Sequence, residues 1–578
     1  MNKLNSKFNE THLITFFIAY FLISKLYFLY FNPINIGSNV IALNTQIFYN
    51  AKSFEFLPQS FHDWNHPGTP FYYYTNIVSL LIGGLHINNL QNFLLFNHII
   101  FYVINILSII YFVNYFKSKI DLKNIIIFFL IIFSFDTNLL AIENIDYTAL
   151  QVPISLFILI FTFKVLDDSS YTNLILLSII LAFSISIIMV FLPFIICSFL
   201  ALFNQLIICG KKFKKFFFTF LSFIIIFLLF NFPIIGRLPK IFYNVLFARD
   251  DTSFNLLDTF DLLKKAILFF AGHNIFLGFL IIIFLSFTIY EITKNIFLKK
   301  LKFIFDSKII FLSSVFFFFL YTLIVASKEM PGENYVQGVL LRNTYLYSCF
   351  IFISFFLIAK NKIYNKTYSF ILTLSFLSFI LTNYTYTKVR NDIIASNKIN
   401  NAILKQEVGK YVSENSKILV YSDAGYGYED FSIISRGNSI LAGEKFTAEL
   451  IKYYPNLRYL RLHDIVNYKF KKLSSIQNHP FYDWFDLKIK DILPPNLYLI
   501  FSHKSFHLTG GSLTDPLRSK ELFIGADNNK TVDAIIFNNT KIIDGLDMEI
   551  LIKYLKINSN LINHYRFNIE NDIWYIIY

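Results

Sequence analysis

Charged residues and cysteines are scarce in this chain, and it has no internal repeats. Charged residues make up 15% of the 578 residues, and there are only three cysteines. Cys197, Cys209 and Cys349 lie within or at the ends of apolar runs, without the spacing of metal ligands. The sequence therefore excludes a disulfide framework, a cysteine-based metal site and a repeat architecture.

Apolar residues are abundant instead. Hydrophobic side chains make up 55% of the chain, phenylalanine alone accounts for 72 residues, and the mean hydropathy is +0.53. A soluble protein of this size could not bury so much apolar surface. Repeated apolar runs of about 18 residues or more are typical of transmembrane helices. The chain is predicted to be a polytopic membrane protein.

The net charge of +13 comes largely from lysines clustered between the apolar runs. That distribution is typical of cytoplasmic loops beside an anionic leaflet. It argues against nucleic acid as a partner and favours membrane lipids.

We predict a mostly α fold in two parts, a helix bundle over residues 1–385 and a soluble α/β domain over residues 386–578. Apolar runs of spanning length give about eleven transmembrane helices. They fall at 12–31, 94–116, 124–140, 148–166, 172–189, 190–208, 216–235, 269–291, 308–327, 342–360 and 366–385. In the tail, strand patterns alternate with helical patterns, as in an α/β domain. The strand patterns are 417–421, 498–501 and 534–537, and the helical ones are 395–412 and 446–454.

One more apolar segment, residues 69–88, decides the topology. With eleven spans and a cytoplasmic N-terminus, every lysine-rich loop is cytoplasmic, as the positive-inside rule requires. If 69–88 is a twelfth span and the N-terminus stays cytoplasmic, every lysine-rich loop falls on the outer side. If the N-terminus is instead outside, the loops are cytoplasmic but Lys3 and Lys7 fall on the outer side. We therefore predict that 69–88 lies along the outer interface, within a first outer loop at 32–93. The C-terminal domain is then extracytoplasmic, in a multi-pass protein of a bacterial-type inner membrane.

The most informative polar stretch is 61–74, FHDWNHPGTPFYYY. Asp63 and His66 precede a Pro-Gly-Thr-Pro sequence that favours a rigid turn. A carboxylate or imidazole in a partly dry cleft can act as a general base on a hydroxyl group. The alternative is a helix N-terminus at the membrane interface, with both side chains simply solvated.

Glu143 and Asp146 provide a second acidic site on the predicted outer face. Two outer loops that carry carboxylates could converge over the bundle, so both acids are candidate catalytic residues. The alternative is helix capping, because an acid just before an apolar helix stabilises its N-terminus, and Asp146 fits that position.

Four cations are candidates for binding a lipid phosphate. Lys25 lies inside the first span, where a lysine costs on the order of 3 kcal/mol unless it is paired or extends to the interface. Lys328, Arg342 and Arg249 lie in or beside predicted outer loops and could hold a phosphate through charge-assisted hydrogen bonds. For each of these three alone, the alternative is ordinary loop charge.

The chain resembles the GT-C superfamily of membrane glycosyltransferases. The resemblance lies in the order of four features: a first span, a long outer loop ending in HPGTP plus aromatic residues, an interfacial segment and an acidic second outer loop. The resemblance is closest to the aminoarabinose-transferase and protein-mannosyltransferase type and covers residues 10–360. It implies a polyprenyl-phosphate-linked sugar as donor, transfer on the outer face and inversion at the anomeric carbon. The acceptor would be a hydroxyl group of a glycan, lipid or protein. The resemblance makes no cofactor certain beyond this donor. A divalent metal stays an open alternative that no residue pattern supports.

The chain departs from the family in its first outer loop. The family's base is usually an acid early in this loop, whereas Asn39, Asn44 and Gln46 occupy the comparable stretch NVIALNTQIFYNAK. An amide is not a base at neutral pH. Asp63, with His66 assisting, therefore becomes the leading candidate base, unless the acids of the second outer loop take the role or the activity is altered or lost.

Three rival functions are compatible with the sequence. A transporter or flippase for lipid-linked sugars would need polar residues through the depth of several helices. A polymerase or ligase of surface polysaccharide would carry its large outer loop late in the bundle. The third is a non-catalytic relative of the family, which the missing early acid favours. Asn97–His98 also stand where the family often has an arginine.

Overall fold

A computed structural model gives the fold of about half of the chain. It describes residues 69–82, 90–135, 138–139, 147–188, 191–208, 210, 212–239, 274–298, 306–328, 365–411, 418–421, 457–459, 534–539, 561–569 and 572–578, with single residues at 12, 15, 16, 19, 20, 552 and 556. The chain divides into two compact units. The first comprises Met1–Phe31, Trp64–Phe71 and Leu95–Val389, and the second comprises Asn32–Asp63, Tyr72–Leu94 and Arg390–Tyr578.

The described residues are mostly helical. The α-helices are α1 (Thr69–Leu81), α2 (Leu90–Phe116), α3 (Leu122–Ile132), α4 (Gln151–Asp167), α5 (Tyr171–Ile187), α6 (Leu192–Phe203), α7 (Phe213–Phe230), α8 (Ile275–Leu298), α9 (Ser307–Lys328) and α10 (Asn365–Gly409). The strands are β1 (Ile418–Tyr421), β2 (Leu457–Tyr459), β3 (Ala534–Asn539), β4 (His564–Ile569) and β5 (Asp572–Ile577).

Side-chain caps fix the starts of several helices. The Ser170 hydroxyl accepts from the Asn173 amide at the start of α5, over 3.5 Å. Asn274 Oδ1 accepts from the amides of Phe276 and Leu277 at 3.0 and 3.1 Å, where α8 begins. Such caps satisfy amides that have no partner within the helix.

Three described helical segments are long and apolar enough to cross a membrane, namely Leu95–Phe116, Phe213–Phe230 and Thr367–Val389. They coincide with predicted spans 94–116, 216–235 and 366–385. Shorter apolar helices occupy parts of the predicted spans at 124–140, 172–189, 190–208, 269–291 and 308–327. The predicted span 342–360 and most of 12–31 lie outside the described residues. The count of eleven spans therefore stays a prediction.

The distribution of polar and apolar side chains in α2 is inverted relative to a soluble protein. Leu95, Ile99, Val103 and Leu107 are exposed at intervals of four residues, with Leu107 53% exposed. Asn97, His98, Asn105 and Ser108 of the same helix are buried. Apolar surface outside and polar groups inside is the arrangement that a lipid environment favours. These features suggest association with a membrane.

The helix α1 is shorter than a membrane span. Its 13 residues extend about 20 Å, whereas the hydrocarbon core is about 30 Å thick. Ile77 and Leu81 are exposed, whereas Thr69 and Val78 are buried. The interfacial position of the segment 69–88 stays a prediction.

The second unit contains a five-stranded mixed sheet with the order β2-β1-β3-β5-β4. The pairs β1–β2 and β1–β3 are parallel, whereas β3–β5 and β4–β5 are antiparallel. Tyr411 packs its ring against Tyr565 and Tyr578, at centroid distances of 4.7 and 4.8 Å. Strands β1 and β3 confirm the strand patterns at 417–421 and 534–537. The patterns at 446–454 and 498–501 lie outside the described residues.

One helix replaces two predicted elements. The span 366–385 and the helical pattern 395–412 are parts of the continuous helix α10, which has 45 residues. The polar residues after Thr385 carry no helix-breaking proline, so the helix continues beyond its apolar part. Hydropathy locates the apolar segment of a helix but not the end of the helix itself.

Candidate functional site

The predicted site residues fall almost entirely outside the described residues. Those outside are Lys25, Asp63, His66, Glu143, Asp146, Arg249 and Arg342. Lys328 is the last residue of α9, and only its backbone is described. Their roles stay predictions, so the candidate site is built from described residues that adjoin them in the chain.

Buried hydrogen bonds fix the start of α1, at the threonine of the HPGTP stretch. Thr69 Oγ1 donates to Asn231 Oδ1 over 3.3 Å, and Asn231 Nδ2 donates to Ser186 Oγ over 2.6 Å. Ser186 Oγ donates to the carbonyl of Ala182 over 2.6 Å. The side chains of Thr69, Asn231 and Ser186 are all buried. We call this series the Thr69 chain, and it joins the start of α1 to the C-terminal ends of α5 and α7.

A second buried polar group lies on α2, beside the 3₁₀ turn Tyr147–Leu150. Asn105 Nδ2 donates to the carbonyl of Phe101 over 2.8 Å and to that of Ala149 over 3.4 Å. His98 is buried nearer the start of α2, with its ring 5.9 Å from that of Tyr102. This environment agrees with a histidine that packs within the helices.

Helix α4 begins without the predicted acidic cap. Its N-cap position is Leu150, which offers no side-chain hydrogen bond. Asp146 comes directly before the turn Tyr147–Leu150, outside the described residues. Whether Asp146 caps the helical segment that begins with this turn stays a prediction.

A third polar cluster joins α8 and α10 to the residues after α3. Asn274 Nδ2 donates to the Ser378 carbonyl at 2.8 Å and to Thr382 Oγ1 at 2.6 Å. Thr382 Oγ1 donates to the Ser134 carbonyl at 2.8 Å. The next residue of α10, Asn383, donates to the carbonyl of Phe133 over 3.2 Å. Neutral side chains thus hold these three parts of the chain together.

A charged cluster occupies the opposite ends of several helices. Asp167, at the end of α4, accepts hydrogen bonds from Lys119, Lys308 and Tyr115, the last over 2.9 Å. Burial raises the pKa of the Asp167 carboxyl, but the hydrogen bonds from these partners outweigh burial and hold the pKa below its usual value. Lys215 donates to the Ser169 carbonyl at 2.6 Å. We call this group the lysine-rich end.

The two ends of the helices in the first unit differ in the chemistry that their described side chains can perform. The carboxylates with described side chains in the first unit belong to the lysine-rich end, and they are Asp121, Asp167, Asp168 and Asp306. At the other end, the described polar side chains are amides, hydroxyls and an imidazole, together with the exposed ammonium of Lys388. Amides and hydroxyls bind and orient a polar substrate but do not act as bases at neutral pH.

The neutral residues of these clusters were not predicted as site residues. Asn231, Asn274 and Asn383 each interrupt or end an apolar run, and this was the only signal in the sequence. Polar groups at membrane depth are costly unless satisfied, so their position indicates a partner without naming it. Among the described residues, no group of three histidine, cysteine, aspartate or glutamate residues could hold a metal ion.

Comparison with protein-family models, with curated proteins and with solved structures finds no match to this chain.

Proposed function

We propose that this protein is an integral membrane glycosyltransferase. It moves a sugar from a polyprenyl-phosphate donor to an acceptor hydroxyl on the outer face, with inversion at the anomeric carbon. The proposal rests on the resemblance in the first outer loop and on the inverted polarity of α2. A non-catalytic membrane relative and a transporter of lipid-linked sugars are the alternatives that experiment must separate from it.

The Thr69 chain is the observation that best supports this proposal. It ties the end of the HPGT sequence to the same ends of α5 and α7, away from the lysine-rich end. His66 lies three residues before Thr69, and Asp63 six residues before it. A chain reaches at most about 3.6 Å per residue, so His66 lies within about 11 Å of Thr69 and Asp63 within about 22 Å. We propose that both candidate residues lie at this end of the helices.

The second-loop acid Asp146 is proposed to lie at the same end. Asn105 of α2 holds the Ala149 carbonyl at 3.4 Å, and Asp146 lies three residues earlier. The same reach keeps Asp146 within about 11 Å of Ala149. Helix α4 ends among the lysines at Asp167, and Asp146 precedes the turn that leads into the start of α4, so Asp146 is proposed to lie at the end distant from those lysines.

In the proposed mechanism, Asp63 removes the proton from the acceptor hydroxyl, with His66 assisting. The acceptor oxygen attacks the anomeric carbon in line, the bond from that carbon to the phosphate oxygen breaks, and polyprenyl phosphate leaves with its bonding electrons. Lys25, Lys328, Arg342 or Arg249 binds the lipid phosphate and stabilises its charge. Glu143 or Asp146 is the alternative base.

We further propose eleven spans with the N-terminus in the cytoplasm. The lysine-rich end then faces the cytoplasmic leaflet, in agreement with the positive-inside rule. The C-terminal residues form an extracytoplasmic α/β domain that includes the mixed sheet and helps to position the acceptor.

The test is transfer by the full-length protein in proteoliposomes, using a panel of polyprenyl-phosphate pentoses and hexoses. Release of polyprenyl phosphate should fall at least about 100-fold in Asp63→Asn, because the carboxylate base is lost while the shape is kept. Asp168→Asn, which removes an exposed acid of the lysine-rich end, should keep wild-type activity.

Full transfer by Asp63→Asn would remove Asp63 from the mechanism, and equal losses in Glu143→Gln or Asp146→Asn would assign the base to the second outer loop. Movement of intact donor between leaflets without release of polyprenyl phosphate would replace the transferase with a flippase.

A further inference from the structure

The lysine-rich end contains a cation that its neighbours do not neutralise. Lys164 is half-buried in the last turn of α4. Its ammonium donates to the Tyr111 hydroxyl and lies 4.6 Å from the centre of the Tyr111 ring and 5.5 Å from that of Phe161. No carboxylate among the described residues forms an ion pair with it. Its immediate surroundings are aromatic faces, which attract a cation but leave its charge uncompensated.

The nearest acid is already shared by two other lysines. Asp167 pairs with both Lys119 and Lys308. Together with Lys164, this makes three ammonium groups around one carboxylate, so the cluster carries a net charge of about +2 at neutral pH. The Tyr115 hydroxyl bridges Lys119 and Asp167, at 2.6 and 2.9 Å, and therefore has no proton left to offer an external anion.

Tyr111 provides a neutral donor beside the Lys164 ammonium. Its hydroxyl oxygen accepts from Lys164, and its proton has no acceptor among the described residues. Tyr111 as a residue is 36% exposed, so it can be reached from outside the helices. An ammonium and a hydroxyl side by side match two oxygens of a phosphate group.

An exposed apolar ridge leads to this pair of donors. Leu95, Ile99, Val103 and Leu107 are exposed, and Tyr111 follows at the same interval of four residues. Leu107 and Val103 lie about 6 and 12 Å from Tyr111 along the helix axis, within the roughly 15 Å depth of one hydrocarbon leaflet. Apolar residues followed by tyrosine and then lysine reproduce the order of acyl chain, interface and headgroup in a membrane.

We propose that Lys164 and Tyr111 bind the phosphate of an anionic phospholipid, whose acyl chain lies along the exposed ridge of α2. Lys164 contacts one phosphate oxygen, and the Tyr111 hydroxyl donates to another. The uncompensated charge of the lysine cluster selects anionic headgroups over zwitterionic ones. This site is independent of the glycosyltransferase proposal, because it lies among the lysines and uses none of the candidate catalytic residues.

The test is a titration of the detergent-solubilised full-length protein with phosphatidylglycerol and, separately, with phosphatidylcholine, read by native mass spectrometry. The wild type should bind phosphatidylglycerol more tightly than phosphatidylcholine. Lys164→Gln should weaken phosphatidylglycerol binding about fivefold, the effect of one surface lysine on anionic lipid. Lys164→Arg should restore it, and Lys214→Gln, at an exposed lysine of the same end, should leave it unchanged.

Two further measurements test the phospholipid site independently of Lys164→Gln. Tyr111→Phe keeps the ring and removes one hydrogen bond, so binding should weaken about threefold even if Lys164→Gln fails to fold. Inorganic phosphate at equal concentration should not compete. Equal binding by wild type and by both Lys164→Gln and Tyr111→Phe, equal loss in Lys214→Gln, or displacement by free phosphate would each overturn the phospholipid site.

Discussion

At the scale of single residues, neutral side chains organise the described helices at the end distant from the lysines. Asn231 accepts from one segment and donates to another, and Asn274 both caps α8 and donates to α10. Hydrogen bonds between membrane helices contribute on average about 0.6 kcal/mol each and at most about 2 kcal/mol. These hydrogen bonds therefore add little to stability, but they determine which parts of the chain contact each other.

Thr69→Val tests whether the Thr69 chain positions the HPGTP turn. The substitution keeps the shape but removes the hydroxyl, so Asn231 Oδ1 loses this donor, and we expect a loss of about 1 kcal/mol in the free energy of unfolding. We also expect sugar transfer to fall more than the loss of folded protein explains. Thermal unfolding and the transfer assay measure the two effects.

Thr373→Val is the matched control, because the exposed Thr373 hydroxyl donates only to the Ser369 carbonyl of its own helix, at 2.9 Å. If both variants behave alike in stability and transfer, the Thr69 chain has no special role in positioning the turn.

At the scale of helices and strands, the sequence predicts that a helix exists better than it predicts the residues at which the helix begins and ends. Apolar runs correctly located α2 and α7, but α7 ends at Phe230, five residues before the predicted end. Asn231 follows and donates through Nδ2 to Ser186 Oγ, and a 3₁₀ turn over Phe232–Arg237, which contains Pro233, comes after it. Helix α3 ends at Ile132, well short of residue 140. Hydropathy cannot predict such ends, because they depend on partners distant in the sequence.

Asp167 joins the ends of three helical segments, and its removal should loosen them. We expect Asp167→Asn to lower the free energy of unfolding at neutral pH by about 1 kcal/mol or less, because the side chain is partly exposed and its ion pairs are screened. The pKa of Asp167 is lower in the folded protein than in the unfolded chain. Its contribution is therefore complete above the unfolded pKa, near 4, and disappears as the pH falls through the folded pKa.

Thermal unfolding of the wild type and Asp167→Asn between pH 7 and pH 3 measures the contribution of Asp167 to stability and the direction in which that contribution changes with pH. The difference between them should shrink below about pH 4. Asp168→Asn serves as the control, since Asp168 is exposed and accepts from Asn173 within the same region. A difference that grows in acid would contradict the role given to Asp167.

At the scale of the whole molecule, the distribution of lysines predicts which ends of the helices face the cytoplasm. The prediction needs a labelling experiment on a background in which Cys197, Cys209 and Cys349 are replaced by alanine. Lys214→Cys marks the lysine-rich end, and Ile562→Cys, at a residue that is 80% exposed, marks the C-terminal unit.

A membrane-impermeant maleimide should label Ile562→Cys in intact cells whose outer envelope is open, and Lys214→Cys only after the inner membrane is permeabilised. Labelling in the reverse order would contradict the topology and would remove Asp63 from the outer face.

The central claim is that the protein transfers a sugar from a polyprenyl-phosphate donor, and product analysis of the wild-type reaction tests it most directly. Full-length protein in proteoliposomes is given a donor of known anomeric configuration and an acceptor fraction, and the product is read by NMR spectroscopy. We predict release of polyprenyl phosphate and a new glycosidic bond of inverted configuration. A donor that remains intact across the whole sugar panel, in protein shown to be folded, would contradict the claim.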